Sequence, residues 1–239
     1  ARICYSVDKG LNWKTCTMID TIAVFNDYVY VNDTLFASTH AYDLYFSLDT
    51  GRTWKPIKRF SGIEKILKDG SEFYVSSSKS IFISNNYGKN WEEFNDTSWK
   101  AYGFNITGIA KSFNSILFSR DYIYKITNSG FSRLSLPRNQ YCEIKTSGKY
   151  FVTASYQGAY KINSEDNSWR KIFERSLSSP KVAVFENRIF VSSNHLIYMS
   201  QDTGLSWNKI DSLPGLVRDL SYQKPYLFAI VEGESVWRI

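Results

Sequence analysis

The segment Ser200-Gln-Asp202-Thr-Gly204-Leu-Ser-Trp207 decides the fold, because three similar segments occur elsewhere in the 239-residue chain. Their shared pattern is Ser-x-Asp/Asn-x-Gly-x-x-Trp, and a run of aromatic and aliphatic residues such as Ile197-Tyr198-Met199 precedes it. The other copies are Ser6, Asp8, Gly10 and Trp13; Ser47, Asp49, Gly51 and Trp54; and Ser84, Asn86, Gly88 and Trp91.

The pattern predicts a hairpin turn between two strands. An Asp or Asn side chain accepts hydrogen bonds from the backbone N–H groups of a turn, and Gly provides a backbone conformation with positive φ. The Ser hydroxyl holds the turn from the strand side, and the Trp covers the corner with a large apolar face. We therefore expect these residues to be structural and not to contact a ligand.

This pattern resembles the Asp box, or BNR repeat, of sialidases, sortilin-type receptors, photosystem assembly factors and certain glucanases. The resemblance implies an all-β propeller of four-stranded antiparallel blades with Asp-box hairpins. Two degenerate copies, at Thr127–Gly130 and Asn163–Trp169, lie between the third and fourth clear ones. The six copies recur roughly every 36–43 residues, which is the size of one blade.

A second repeated unit lies between the boxes and predicts the blade number. The segments Ile22–Val31 and Val182–Val191 each look like two short strands joined by a tight polar turn. Six such pairs predict a six-bladed β-propeller that occupies residues 1–239 as one domain. We expect the N-terminal strand Ile3–Ser6 to complete the C-terminal blade and close the ring. The segment Ser235–Ile239 competes for that place, and the alternative is a fragment of a seven-bladed propeller.

Composition excludes several classes of function. The net charge is +6, but Lys and Arg are scattered among 23 acidic residues, so no nucleic-acid stripe is predicted. No apolar run is long enough to span a membrane. Two His and three Cys residues show no metal-ligand spacing, and no cofactor motif is present. We expect neither a metal nor a cofactor.

Cysteines and glycosylation sequons indicate the cellular compartment. Cys4 and Cys16 lie equally far from Gly10, so a hairpin centred there places them opposite each other as a disulfide, and the alternative is two unrelated buried thiols. Glycosylation is predicted at three Asn-x-Thr sequons, and together with the disulfide they predict a secreted or cell-surface glycoprotein. The sequon asparagines are Asn32, Asn95 and Asn105.

Ligand contacts are expected at the end of the blades away from the boxes, where loops vary without disturbing the sheets. Alignment of the repeats predicts two insertions there, Asn32–Asp43 and Asn95–Asn105. Aromatic, basic and acidic residues in these loops are typical of a glycan or protein interface. The candidate ligand-binding residues are His40, Tyr42, Asp43, Trp99, Tyr102, Arg120, Asp121, Tyr156, His195 and Glu232.

Catalytic residues are not predicted. Sialidases carry an Arg-Ile-Pro segment, whereas Arg2-Ile3 is followed here by Cys4. We therefore expect a non-catalytic interaction or adhesion module that binds a protein or glycan. One alternative is a sialidase-like glycoside hydrolase, for which Asp43, Asp121, Glu232 and Glu234 are the candidate carboxylates. Another is an assembly factor of the photosystem type.

Overall fold

The computed structural model describes residues 3–16, 25–39, 43–60, 62–77, 80–95, 106–113, 115–127, 130–137, 141–233 and 236–239. Within these ranges every regular element is a β-strand. The chain divides into two compact units, Ala1–Ile106 (unit 1) and Thr107–Ile239 (unit 2). No helix in the described part has the length and hydropathy needed to cross a membrane.

Unit 1 contains a short hairpin and two four-stranded sheets, and the strands of each follow one another in sequence order. The hairpin strands are β1 (Cys4–Tyr5) and β2 (Lys14–Thr15). The first sheet is β3 (Phe25–Val31), β4 (Thr34–Thr39), β5 (Asp43–Ser47) and β6 (Lys55–Arg59). The second is β7 (Lys65–Asp69), β8 (Glu72–Ser76), β9 (Ser80–Ser84) and β10 (Glu92–Asn95).

Unit 2 contains three four-stranded sheets and one of three strands. The first two sheets are β11 (Gly108–Ser112), β12 (Ser115–Ser119), β13 (Ile123–Thr127) and β14 (Gly130–Arg133), then β15 (Tyr141–Ser147), β16 (Tyr150–Ser155), β17 (Gly158–Asn163) and β18 (Trp169–Phe173). The others are β19 (Val182–Phe185), β20 (Arg188–Ser193), β21 (Leu196–Ser200) and β22 (Asn208–Ser212), then β23 (Val217–Gln223), β24 (Tyr226–Val231) and β25 (Val236–Arg238).

The architecture is that of an all-β, six-bladed β-propeller, as the repeat count predicts. All strand pairs within the sheets are antiparallel and join neighbours in sequence, which is the pattern of a blade. β25 takes the third position of the last sheet, beside β24. This segment was the predicted competitor of Ile3–Ser6, whose strand β1 pairs with β2. The extent of the domain, 1–239, stays a prediction.

Each sheet has two distinct ends. The turn between its first and second strands and the turn between its third and fourth strands lie together at one end, which we call the box end. Backbone hydrogen bonds join the two turns: the Tyr87 N–H donates to the Ser71 carbonyl at 2.8 Å, and the Thr203 N–H donates to the Asn187 carbonyl at 3.0 Å. The remaining connections lie at the opposite end.

The predicted insertion Asn32–Asp43 is wrong. Asn32 and Asp33 form the turn between β3 and β4, and Thr34–Thr39 is the second strand of the sheet. The sequence alignment divided Ile22–Val31 into two strands, whereas Phe25–Val31 is one continuous strand. Apolar residues alternate on both sides of a short polar pair in this segment, so the sequence is compatible with a turn at that pair or with one continuous strand. Pairing with β4 favours the continuous strand. Asn32 consequently lies at the box end.

The predicted disulfide is also absent. Cys4 pairs with Thr15, and the Cys16 N–H donates to the Ile3 carbonyl at 2.8 Å. The register is therefore shifted by one residue from the symmetric hairpin, and alternate residues of a strand point to opposite faces. Both thiols are free, with Cys4 exposed and Cys16 buried.

The four motif turns, which we call the box turns, share one hydrogen-bond pattern. In the turn that begins at Ser200, the serine Oγ donates to Asp202 Oδ1 at 2.7 Å and accepts from the Gly204 N–H at 2.8 Å. Asp202 Oδ1 also accepts the N–H groups of Leu205 and Ser206. In the other three turns the glycine N–H likewise donates to the serine Oγ, at 2.8 Å for Ser47, 2.9 Å for Ser84 and 2.7 Å for Ser6.

The residue between Asp and Gly also has a left-handed conformation, which the sequence analysis did not predict. Its φ is 59° at Lys9, 56° at Thr50, 59° at Tyr87 and 57° at Thr203. Non-glycine residues rarely adopt positive φ. The Ser and Asp bonds stabilise the turn strongly enough to hold this position for four different side chains.

Box glycines are required for close approach to the neighbouring blade. A Cβ on Gly204 would lie 2.8 Å from Cβ of Ile172 on β18, and one on Gly88 would lie 3.1 Å from Cγ2 of Ile57 on β6. The tryptophan of the Ser200 box turn packs on the neighbouring blade. Trp207 Nε1 donates to the carbonyl of Ile172 on β18 at 2.6 Å, and its ring meets the Phe173 ring edge-on at 4.9 Å. The box turns at Gly88 and Gly204 thus each join two blades.

The apolar core consists of layers between neighbouring sheets. One layer in unit 2 joins the blades that begin with β15 and β19, and it contains Val152, Ile172, Phe173, Val182, Ile189 and Val191. A comparable layer in unit 1 joins the sheets that begin with β3 and β7, and it contains Phe36, Leu44, Phe60, Ile63, Phe73 and Phe82.

We expect Gly204→Ala to destabilise the protein by about 3 kcal/mol or more, because it adds a collision with Ile172 to the strain of a positive φ. Gly148→Ala is the matched control: its φ is 56° and its added Cβ meets nothing within 4 Å. It should cost only about 1–2 kcal/mol. Urea unfolding measures both, and equal losses would contradict the close-approach role.

The Asp202 carboxylate should give the fold an acid-dependent component. Hydrogen bonds from Ser206 and Ser200 hold the pKa of Asp202 well below its ordinary value. A carboxyl group whose pKa is lowered by folding stabilises the folded state at pH values above its unfolded pKa. This stabilisation is lost as the pH falls towards its folded pKa. Asp202→Asn should therefore lower stability at pH 7, and its difference from the unsubstituted protein should shrink below pH 4. Urea unfolding over this range tests it, and a pH-independent difference would refute the ionised role.

Candidate functional site

The candidate site is the opposite end of the blades in unit 2, where five predicted residues lie in the described loops. Arg120 and Asp121 follow β12, and Tyr156 lies between β16 and β17. His195 lies between β20 and β21, and Glu232 follows β24. Four other predicted ligand residues fall outside the described ranges: His40, Tyr42, Trp99 and Tyr102.

Asp43 in unit 1 has local partners within its own sheet. Its Oδ1 lies 3.7 Å from Nε of Arg59 on the neighbouring strand, and the Tyr45 hydroxyl donates to its Oδ2 at 3.4 Å. These contacts account for the carboxylate without a ligand. The second predicted insertion begins at Asn95, the last residue of β10, and the rest of it, with Asn105, lies outside the described residues.

The loop that contains Arg120 is structural in its contacts. Arg120 is 4% exposed, so its side chain is not part of the surface that the sequence analysis predicted. The Tyr124 hydroxyl donates to Asp121 Oδ1 at 3.2 Å. Burial, with the adjacent Asp121 charge, raises the pKa of Tyr124 to about 12. Asp121 therefore orients a neutral tyrosine, and this loop offers little to a ligand.

Tyr156 and His195 are displayed on a firmly held backbone. Tyr156 is 51% exposed, while its carbonyl accepts the Leu177 N–H at 3.0 Å. His195 is exposed, and its carbonyl accepts the Leu213 N–H at 2.8 Å. In both cases the loop inside one sheet is bonded to the connection that leaves the same sheet. Binding to such preorganised side chains costs less ordering entropy than binding to free loops.

The neighbouring residue Asn194 strengthens this arrangement. Its N–H donates to the Ser178 carbonyl at 2.6 Å, and its carbonyl accepts the Val217 N–H at 2.9 Å. Ser178 precedes β19 and Val217 begins β23, so one residue links the blade-to-blade connections on both sides. Its φ of 59° is a conformation that Asn tolerates better than most residues do.

Glu232 forms an ion pair with Arg218, and both side chains are about half exposed. Exposed ion pairs contribute about 0–1 kcal/mol to stability. Their value at a surface is orientation: the pair presents a fixed donor and a fixed acceptor beside the loops that carry Asn194 and His195. Such a pair suits a polar rim around an aromatic contact.

A cluster of charged residues that the sequence did not predict lies at the beginning of the first strands in unit 2. Glu143 is on β15, Lys181 immediately precedes β19, and Asp219 is on β23. The Lys145 Nζ lies 3.3 Å from Glu143 Oε2. Glu143 and Asp219 each adjoin an irregularity in strand register, which re-aims side chains. Such bulges leave no clear mark in the sequence.

One carboxyl group of this cluster, Asp219, has a raised pKa. Burial raises the pKa of Asp219, the Glu143 charge raises it further, and the Lys145 and Lys181 charges oppose the shift. Two carboxylates in one enclosed place do not both ionise readily. Perturbed carboxyl groups of this kind mark candidate functional sites. In the described ranges no three His, Cys, Asp or Glu side chains are grouped closely enough to hold a metal ion.

No protein-family model and no characterised protein matches the sequence. Solved structures match the fold. YCF48 bound to a D1 peptide has a TM-score of 0.73 and 12% identity, over 100% of this chain and 85% of that one. Virginiamycin B lyase from Staphylococcus aureus has a TM-score of 0.74 and 13% identity, over 90% and 80%. The GH74 enzyme of Niastella koreensis has a TM-score of 0.68 and 13% identity, over 90% and 44%.

These likenesses establish the propeller fold, and at such identities they establish nothing further. The three proteins differ in what their names describe: one binds a peptide, one is a lyase and one is a GH74 enzyme. Propellers serve unrelated functions because the sheets supply the scaffold and the loops supply the chemistry. Function must therefore be argued from the loops of this chain.

Asp219→Asn should stabilise the protein at neutral pH. Because the pKa of Asp219 is raised, the folded protein holds this proton more firmly than the unfolded chain does. Asp219 therefore contributes its full stability below the unfolded pKa, near 3.8, and this stability is lost as the pH rises. The Asn Oδ1 can still accept the Leu220 N–H, now 2.8 Å from Asp219 Oδ1. Urea unfolding should show a gain at pH 7 that disappears near pH 3. A loss at pH 7 would contradict this, and Glu232→Gln controls for removal of a carboxylate.

Proposed function

We propose that this protein is a non-catalytic interaction module that binds a peptide segment of a protein partner through the opposite end of unit 2. The observation that carries the proposal is the display of Tyr156 and His195 on loops whose backbones are bonded to the adjoining connections. A half-exposed tyrosine is a typical anchor of a protein interface because it adds apolar area and a hydroxyl at low entropic cost.

The polar surroundings favour a peptide over an apolar ligand. Asn194, His195 and the Arg218–Glu232 pair supply donors and acceptors at the same end of unit 2 as Tyr156. YCF48, a propeller of similar fold, has been seen with a bound D1 peptide. That likeness makes peptide recognition a reasonable use of the scaffold, and an assembly factor would act through the same kind of contact. A glycan is the alternative ligand of the same surface.

We further propose that the four box turns are Asp boxes. Their shared Ser–Asp–Gly bonds and their contacts with the neighbouring blade support an architectural role. The side chains of Ser200 and Asp202 are both engaged in hydrogen bonds within the turn, and so is the Gly204 N–H, which leaves none of these groups for chemistry. The resemblance to sialidases through these turns therefore supports shared architecture and not shared catalysis.

Selection from a phage-displayed random peptide library tests the peptide proposal. We expect binders whose affinity for the double variant Tyr156→Ala/His195→Ala is at least about tenfold weaker, because a central aromatic contact contributes about 2 kcal/mol. Leu205→Ser, at the box end of the same unit, is the matched control and should bind normally. Failure to select any peptide, or peptides lost only on Leu205→Ser, would overturn the proposal. A glycan array with the same variants separates the glycan alternative.

A glycoside hydrolase is the second candidate, and the Glu143–Asp219 cluster is the observation that favours it. General acid–base pairs of carboxyl groups with separated pKa values carry out glycoside hydrolysis. The Lys145 Nζ near Glu143 and the Lys181 charge instead support a structural ion cluster. Turnover of fluorogenic sialosides or glucosides that disappears in Glu143→Gln would establish the enzyme over the binding module.

A secreted or cell-surface location is retained as a proposal on the sequons alone. Asn32 is exposed in the turn between β3 and β4, so its side chain is accessible for modification. The free thiols Cys4 and Cys16 remove the support that a disulfide would have added. Expression through a secretory pathway with and without Asn32→Gln, followed by a deglycosylation shift, tests modification at this position.

A further inference from the structure

The most exposed large apolar side chains of the described residues all lie on turns at the box end. In unit 1 they are Val7 (78% exposed), Leu11 (67%), Leu48 (67%) and Tyr87 (68%), and in unit 2 they are Phe113 (62%) and Leu205 (70%). The next most exposed is Tyr30 on strand β3, at 56%. Isolated exposed apolar residues are ordinary, but their concentration on one kind of turn requires an explanation.

Packing of the turn does not supply this explanation. Val7 and Leu48 occupy the position between Ser and Asp, which Asn85 and Gln201 fill in the other box turns. Polar residues are therefore compatible with the same turn geometry. Tyr87 and Phe113 have φ values of 59° and 49°, which are unfavourable for bulky side chains. These residues combine backbone strain with solvent exposure, and such strained positions are typical of functional surfaces.

The polar groups of the turns are already paired inside the turns. Asp49 Oδ1 accepts the N–H groups of Arg52 and Thr53, and its Oδ2 accepts the Thr53 hydroxyl at 2.7 Å. The Ser47 hydroxyl is bonded in the same way to Asp49 and to the Gly51 N–H. A box turn can therefore enter a region poor in water without leaving these groups unsatisfied, which is the usual cost of burying a turn.

Cations accompany the apolar tips. Lys9 lies between Val7 and Leu11 in the first turn, and its side chain is exposed. The exposed Arg52 follows Leu48 in the second, and the exposed Lys89 follows Tyr87 in the third. The carboxylates of these turns point back to backbone donors. Each box turn of unit 1 thus presents an apolar tip beside a positive charge.

A lipid surface suits this arrangement better than a protein surface does. A protein interface needs a contiguous, closely packed core surrounded by a polar rim, whereas these tips stand on separate turns. A fluid headgroup layer adapts to separate side chains, takes apolar tips at the acyl boundary and attracts Lys and Arg to its phosphates. The rigid Ser–Asp bonding holds each tip outward, so little ordering entropy is lost on contact.

We propose that the box end of unit 1 binds the surface of an anionic phospholipid membrane. Val7, Leu11, Leu48 and Tyr87 insert among the headgroups, while Lys9, Arg52 and Lys89 contact lipid phosphates. This binding is peripheral and reversible, since several partly inserted side chains provide far less binding energy than a spanning segment. It is also independent of the peptide site, which lies at the opposite end of the blades of unit 2.

Co-sedimentation of the full chain with vesicles tests the proposal. We expect binding to phosphatidylcholine vesicles that contain phosphatidylserine and much weaker binding to phosphatidylcholine alone. The triple variant Val7→Ser/Leu11→Ser/Leu48→Ser should lower partitioning to the anionic vesicles by about tenfold or more, because three inserted tips are removed. Lys9→Gln/Arg52→Gln/Lys89→Gln should abolish the preference for phosphatidylserine.

Matched controls separate this effect from general hydrophobicity. Tyr28→Ser and Ile230→Ser remove side chains that are 52% and 42% exposed on strands β3 and β24, and both should bind vesicles normally. Urea unfolding checks that every variant is folded. In a Leu48→Trp variant, brominated lipid should quench more fluorescence than it does in the unsubstituted protein, whose seven tryptophans set the baseline, and only when phosphatidylserine is present.

Three outcomes would overturn the proposal. The first is equal, negligible sedimentation of the unsubstituted protein with both kinds of vesicle. The second is binding that the tip variants leave unchanged. The third is a change in molar mass by light scattering, caused by the tip variants without any change in vesicle binding, which would assign the tips to self-association. Loss of peptide binding in Tyr156→Ala/His195→Ala has no bearing on any of these results.

Discussion

The hydrogen bond from a box-glycine N–H to the serine hydroxyl four residues earlier is the interaction on which the rest of the structure depends. It closes the turn between the third and fourth strands, and in three of the box turns the glycine then meets the fourth strand of the preceding blade or hairpin. The same short segment therefore ends one sheet and joins it to another. A side chain larger than hydrogen at that position would separate the two sheets at their apolar layer.

The two ends of the blades expose different kinds of side chain, and the box turns determine what one of them exposes. Their serine hydroxyls and aspartate carboxylates accept N–H groups within the turn, whereas the variable side chains of the turn project outward. At the opposite end of unit 2, the loops are held by single bonds such as Leu177 to Tyr156 and Val217 to Asn194. Those bonds fix the backbone yet leave side chains exposed. One end offers isolated apolar tips with cations, and the other offers a tyrosine in a polar setting.

Local motifs could be predicted from the sequence because their hydrogen bonds join residues that are close together in the chain. Ser, Asp and Gly at fixed spacing specify a turn, and the repeat of that turn with strand-like runs predicts blades and their number. Strand assignment and register were not predictable from the sequence. Ile22–Val31 is compatible with two strands or with one, and the continuous strand Phe25–Val31 places Asn32 in a turn at the box end. A separate shift of one residue in the first hairpin pairs Cys4 with Thr15 and not with Cys16. The charged cluster around Glu143 was missed because bulges and burial, which create it, appear only when the strands are paired.

The sequence by itself determined the propeller, the box turns and the absence of the sialidase Arg-Ile-Pro signature, since each follows from residues close together in the chain. The tertiary structure decided what depends on distant residues. Packing buried Arg120 and exposed Tyr156, although both belong to equivalent loops. Burial of Asp219, together with the charge of Glu143 on another first strand, raised the pKa of Asp219. Turn geometry directed Leu48 and Tyr87 into solvent, because the bonds that fix the backbone leave those side chains no interior to enter.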